Sequence, residues 1–209
     1  MTQAREMHGS MVINNDKLYI FGGYANGVGM SYTEYCQLDS KTGNMGSFQA
    51  GPTFNKINSC VFASFILNNR VYCLGEYGLP LFYLESAPIL ADNTLGPWEI
   101  AGGPYDVGEL PIGATFTGDS TLFVMIGGKE SNPCYVMDLK DGAVEGKSFK
   151  MVTSPDPISS KYGFYLPDTI GIGSWGRYVC YLNGTYTYVY DPWLTSAPLF
   201  EESNSNLYE

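Results

Sequence analysis

The stretch His8-Gly-Ser-Met-Val-Ile-Asn-Asn-Asp-Lys-Leu-Tyr-Ile-Phe-Gly-Gly23 holds two short apolar runs, a polar turn between them and a glycine doublet at the end. Val, Ile, Leu, Tyr and Phe in runs of four or five, bounded by Asn, Asp and Gly, read as strands joined by tight turns. Working outward, the same punctuation returns along the chain. The doublet or its remnant recurs as Gly75-Glu76, Gly127-Gly128 and Asn183-Gly184, each after an apolar strand. The turn recurs as Asn68-Asn69, Gly118-Asp119 and residues 173–176. An aromatic closes each unit, at Phe48, Trp98, Phe149 and Phe200, spaced by 50, 51 and 51 residues. Gly51-Pro52, Gly103-Pro104 and Ser154-Pro155 follow the first three of these aromatics. Four kinds of landmark kept in phase define a repeat of about 50 residues. The units run roughly over 5–52, 53–104, 105–155 and 156–209, and together they form one domain over 1–209.

Each unit carries four short strand-like runs. In the first they are 10–13, 18–21, 32–38 and a last strand around Phe48. In the second they are 60–67, 71–74, 81–84 and 98–100. No stretch of twelve or more residues keeps a helical period. The expected fold class is all-β.

Composition narrows the function. The 209 residues carry 11 Lys+Arg against 21 Asp+Glu, a formal net charge of −10, with 15% charged and 15% aromatic residues. An acidic field with scattered cations repels a polyanion, so no nucleic-acid partner is expected. No apolar run reaches the roughly 20 residues that a membrane helix needs, so no membrane partner is expected either. The first residues, Met1 to His8, lack the basic-then-apolar layout of a secretion signal. The five cysteines are odd in number, none forms a Cys-x-x-Cys pair, and all but Cys134 sit in apolar runs as small buried hydrophobes. The expected setting is cytoplasmic or within a virion.

Four-stranded units repeating about every 50 residues resemble the kelch-type β-propeller blade. The resemblance rests on residues 8–23 and on Ser120-Thr-Leu-Phe-Val-Met-Ile-Gly-Gly128. It continues in the Tyr…Asp strands at 35–39, 135–138 and 190–191 and in the terminal Trp or Phe. The segment Ala87-Pro-Ile-Leu-Ala-Asp-Asn-Thr-Leu-Gly-Pro-Trp98 is similar to the blade closure of bacterial and phage kelch-like proteins. The resemblance implies four kelch-like blades, either closed as a disc or forming an arc of a larger propeller. The second and fourth units depart from the pattern at Gly75-Glu76 and Asn183-Gly184. Physically, the doublet serves where the chain needs φ > 0 or close backbone approach, and the terminal aromatic is a wedge between blades.

The sequence offers little for catalysis. His8 is the only histidine, so a His-rich metal site or a two-histidine copper site cannot form within one chain. His8 also sits where the kelch pattern itself often carries a histidine. The glycine doublets end strands rather than opening helices, which argues against a phosphate cradle. The pairs Asp106/Glu109 and Asp138/Asp141 are loop carboxylates read as solvated. No catalytic residue, metal or cofactor is expected.

Binding is the better reading, because a propeller presents loops from every blade on a rigid scaffold. The candidate contact residues are Tyr24, Tyr77 and Tyr105, with Tyr162, Phe164 and Tyr165 on the long insertion at 155–167. Tyr buries much area for little entropy and keeps a polar tip. Two functions stay open. One is a non-catalytic interaction scaffold docking a protein partner, as an oligomer or as a component of a larger assembly such as a phage virion or appendage. The other is a carbohydrate-binding or epimerase-like carbohydrate-active kelch protein.

Overall fold

A computed structural model describes residues 1–78, 81–106, 111–116, 121–126, 134–139, 150–152, 170–175, 178–183, 186–190 and 200–203. Among these residues the chain is all-β, with no helix. They fall into two compact units, one up to Asp106 and the other from Pro111 onward.

The first unit contains two four-stranded antiparallel sheets. The first sheet is a meander of β1 (Gly9–Ile13), β2 (Lys17–Phe21), β5 (Tyr32–Gln37) and β6 (Gln49–Thr53), in that order. A small hairpin of β3 (Tyr24–Ala25) and β4 (Val28–Gly29) is inserted between β2 and β5. The second sheet follows the same path through β7 (Val61–Leu67), β8 (Arg70–Gly78), β9 (Leu81–Pro88) and β10 (Glu99–Asp106).

The predicted turns have clear causes. Asn14 and Asn15 both take positive φ, 50° and 54°, and Asn68 and Asn69 take 48° and 58°. Two successive left-handed residues make the type I′ turn, whose twist matches that of the flanking strands, and Asn tolerates it best after Gly. Pro52 and Pro104 lie in β6 and β10, the outer edges of their sheets, where a missing N–H costs no ladder bond.

The first strands of the two sheets run side by side. The Val61 amide donates to the Met7 carbonyl at 3.0 Å, and Ser64 Oγ donates to the Ser10 carbonyl at 3.2 Å. Between the sheets lies a core of Ile13, Tyr19, Phe21, Phe54, Ile57, Val61, Val71, Cys73 and Trp98, among others. Trp98 is 4% exposed, meets the Phe21 ring edge-on at 5.9 Å and packs on Phe54 at 4.4 Å. This is the wedge expected of it. Phe48 is only half-buried and stands outside this core. Both aromatics sit just before the outer strand rather than inside it, because the strands begin at Gln49 and Glu99.

Residues 54–60 connect the two sheets, and a buried carboxylate holds them. Glu85 accepts the backbone N–H groups of Asn55, Lys56 and Ile57, each at 2.7 Å. At the Asn-turn end of the sheets a polar cluster joins the β1–β2 hairpin to the turn before Trp98. Asn14 Nδ2 donates to Asn93 Oδ1 at 2.7 Å, Asn93 Nδ2 to Asp16 Oδ2 at 3.0 Å, and Lys17 Nζ to the Asp92 carbonyl at 2.7 Å.

The second unit repeats the arrangement. One sheet is β11 (Pro111–Phe116), β12 (Thr121–Ile126), β13 (Cys134–Asp138) and β14 (Lys150–Val152). The other is β15 (Ile170–Trp175), β16 (Tyr178–Asn183), β17 (Tyr186–Tyr190) and β18 (Phe200–Ser203). Here too the first strands, β11 and β15, are neighbours.

Candidate functional site

The two sheets of the first unit share an end, where β2 and β8 finish and β1 and β7 begin. The glycine doublet shapes it. Gly22 and Gly23 take φ of 55° and 99°, which turn the chain out of the sheet and end β2 at Phe21. A Cβ on Gly22 would lie 2.6 Å from the Ser59 carbonyl, so the following sheet can approach only a glycine here. The Gly23 amide then donates to that same carbonyl at 2.7 Å.

Tyr24, Tyr77 and Tyr105 all come to this end of the first unit. They are carried on strands rather than free loops: Tyr24 opens β3, Tyr77 is near the end of β8 and Tyr105 near the end of β10. Tyr24 is fixed by reciprocal backbone bonds with Glu6 at 2.8 and 2.9 Å. The Tyr77 ring meets Tyr83 edge-on at 5.6 Å, and Lys56 Nζ stands 5.4 Å from its centroid. Tyr105 packs on Phe82 at 5.5 Å, and burial pushes its hydroxyl pKa up. Tyr162, Phe164 and Tyr165 lie outside the described residues, as do Glu109 and Asp141. The β3–β4 hairpin was legible in principle, since Asn26-Gly27 takes φ of 53° and 75° and is a strong type I′ signal.

Two buried polar groupings flank these tyrosines. In the first, the Arg5 guanidinium pairs with the Glu34 carboxylate, both side chains being almost wholly buried. Arg5 also donates to the Gly22 carbonyl at 3.1 Å and lies over the Tyr32 ring at 4.9 Å, while the Thr2 hydroxyl and amide donate to Glu34. This grouping straps the first residues of the chain to the sheet and so sets the position of Met7 and Tyr24.

The second grouping was not legible in the sequence, because its members are far apart along the chain. Glu76 replaces the second glycine of the doublet and is 5% exposed. Ser59 Oγ donates to its Oε2 at 2.6 Å. The Cys60 Sγ lies 3.5 Å from the Met7 thioether sulfur. Burial, then the Glu76 carboxylate, pushes the Cys60 thiol pKa up to about 12, so it is a thiol at neutral pH. Against Gly23, the buried His8 Nδ1 has no hydrogen-bond partner among the described residues. No group of three or more His, Cys, Asp or Glu positioned for a metal ion is found among the described residues. Among the described residues there is no helix long and apolar enough to cross a membrane.

No protein-family model matches the chain, and no curated protein does. Among solved structures, the RS223 β-xylosidase is similar at 12% identity and a TM-score of 0.53, covering 93% of this chain and 77% of the xylosidase. A glucose dehydrogenase aligns at 12% identity and a TM-score of 0.43, over 93% of this chain and 63% of its own. A quinoprotein alcohol dehydrogenase-like protein from Bacteroides thetaiotaomicron aligns at 10% identity and a TM-score of 0.41, over 88% and 51%. The xylosidase likeness concerns fold alone, and with the successive four-stranded meanders it supports a β-propeller-like, all-β chain.

Proposed function

We propose that the chain is a non-catalytic interaction module, its four meanders acting as kelch-type propeller blades, and that the glycine-doublet end of its first unit docks a protein partner. One observation carries this reading. Met7, Val28 and Tyr77, from three separate segments, are 59%, 65% and 41% exposed at this one end, beside Tyr24. Exposed apolar side chains gathered on a backbone-fixed edge are what a docking surface requires. The buried carboxylates of the first unit are already engaged: Glu34 by Arg5 and Thr2, Glu76 by Ser59, and Glu85 by three amides. None of them pairs with a second carboxylate as acid and base. The net charge of −10 favours a partner whose docking surface is neutral or basic. Such a module suits a larger assembly, including a virion or appendage.

The test is affinity capture with the parent chain and with a Val28→Ser/Tyr77→Ala variant of unchanged melting temperature, with captured proteins identified by mass spectrometry. A partner held by the parent and lost by the variant supports the reading; identical captured sets overturn it. A carbohydrate ligand is the second reading, favoured by the Tyr77 ring, which Tyr83 braces as a sugar-stacking platform. Saturable binding on a glycan array, abolished by Tyr77→Ala, would move the assignment to sugars. Native mass separates four-blade closure in a monomer from an arc completed by other chains.

A further inference from the structure

We propose that Asn26 is a self-modification site, whose side-chain amide converts to an acid in the folded chain and so unmakes the β3–β4 hairpin that carries Val28. The reaction asks three things of the neighbourhood: a following residue without a side chain, a main-chain nitrogen with no acceptor of its own, and a carboxamide free to turn onto it. Asn26 has all three. Gly27 follows it at φ 75°, and a Cβ built there would meet nothing within 4 Å. The Gly27 amide has no acceptor among the described residues. The Asn26 side chain is exposed and makes no hydrogen bond among them.

The other left-handed asparagines differ. Asn14, Asn69 and Asn93 donate their side-chain amides to Asn93 Oδ1, the Ile89 carbonyl and Asp16 Oδ2. Asn15 and Asn68 precede Asp16 and Asn69, whose side chains crowd the attacking nitrogen. Asn183 also precedes a glycine, but it is held in β16, paired with both Ile170 and Tyr186. In the β3–β4 hairpin each strand is two residues long, so the local opening that ring closure needs breaks few bonds.

The step balances with water as the only co-reactant. The Gly27 nitrogen bonds to Asn26 Cγ and gives up its proton, and the side-chain nitrogen leaves with that proton as ammonia. Water then opens the five-membered imide ring. Opening at one carbonyl gives aspartate; opening at the other gives isoaspartate, in which the main chain runs through the former side chain. Nothing is oxidised or reduced. Either product adds a negative charge to a chain that already carries −10. The hairpin turns this into a change of surface. Its strands pair as Tyr24–Gly29 and Ala25–Val28 across two left-handed turn residues. An extra main-chain carbon no longer fits that two-residue turn, so the pairing slips and Val28, 65% exposed, leaves its place. The loss of docking that follows rests on the function proposed above; the conversion of Asn26 does not.

The experiment ages the folded full chain in mildly alkaline buffer and maps asparagine, aspartate and isoaspartate by peptide mass spectrometry. An Asn26→Gly variant runs beside it, since glycine keeps the left-handed turn and has no amide to lose. Aspartate and isoaspartate at position 26 should outpace conversion at Asn183 and at every other asparagine. In the aged parent the Met30 amide, bonded to the Gly23 carbonyl at 2.9 Å, should lose its protection from hydrogen exchange, and in the aged variant it should keep it. An intact Asn26, conversion at Asn183 first, or unchanged protection at Met30 overturns the proposal. In affinity capture, a partner held by the fresh parent should be lost by the aged parent and kept by the aged variant. A fresh parent that captures nothing counts against the docking reading alone, and the map at position 26 still decides the modification.

Discussion

Gly22-Gly23 and Gly75-Glu76 occupy the same step of two successive sheets, the end of the second strand, and they solve it differently. The first glycine of each pair answers a common demand. A Cβ would meet the Ser59 carbonyl at 2.6 Å in one case, and Ile57 Cγ2 at 2.6 Å and the Cys60 carbonyl at 2.8 Å in the other. The second residue differs. Gly23 bends the chain away so that β3 and β4 can form, whereas Glu76 carries β8 onward to Gly78 and places a carboxylate under Cys60. A unit that reads as a worn copy of the repeat is thus the one that supplies ionisable chemistry to the shared end.

Four measurements test this contrast. The largest effect belongs to the wedge that both sheets use: Trp98→Ala should lower unfolding free energy by about 3–5 kcal/mol in a denaturant titration. A loss under about 1 kcal/mol would mean that the two sheets do not depend on a common core. Next, Gly22→Ala should cost about 2–4 kcal/mol, since it adds a backbone clash to a left-handed φ. Gly75→Ala should cost less, about 1–3 kcal/mol, because its φ is ordinary and only crowding by Ile57 and the Cys60 carbonyl opposes it. Equal losses at the two glycines would erase the distinction between a turn and a continued strand.

The smallest effect lies at the opposite end of the sheets, which serves as a control. Hydrogen bonds from Lys17, Asn93 and Gln37 hold the Asp16 pKa at about 2, below its ordinary 3.8. A lowered folded-state pKa contributes stability above the unfolded value and loses it as pH falls through the folded one. Urea midpoints should therefore drop between about pH 4 and pH 2, and Asp16→Asn should flatten that arm. An identical acid response in the variant would show that the cluster around Asn93 does not hold the charge of Asp16.

Local rules were readable from the chain. The Asn-Asn turns and the short apolar strands depend on residues close in sequence, so composition announces them, and the spacing of the terminal aromatics singles out Trp98 although its contacts reach the first sheet. Asn26-Gly27 carried an equally local signal for the β3–β4 hairpin, masked by the short runs on either side of it. The tyrosines at 24, 77 and 105 were legible as candidates, but their convergence was not, because strand register decides which end of a sheet a residue reaches. Glu76 looked like decay for the same reason: Ser59 and Cys60, whose side chains act on it, stand just before β7, the neighbouring strand of its sheet.

The grip of Glu85 on residues 54–60 has an evolutionary corollary. It fastens the connection through three main-chain amides, so Lys56, whose side chain takes no part in that grip, can vary while the junction endures; Asn55 is tied further, its Nδ2 donating to the Trp98 carbonyl. A lineage could then rewrite the segment bordering Tyr77 to suit a new ligand without re-engineering the scaffold beneath it.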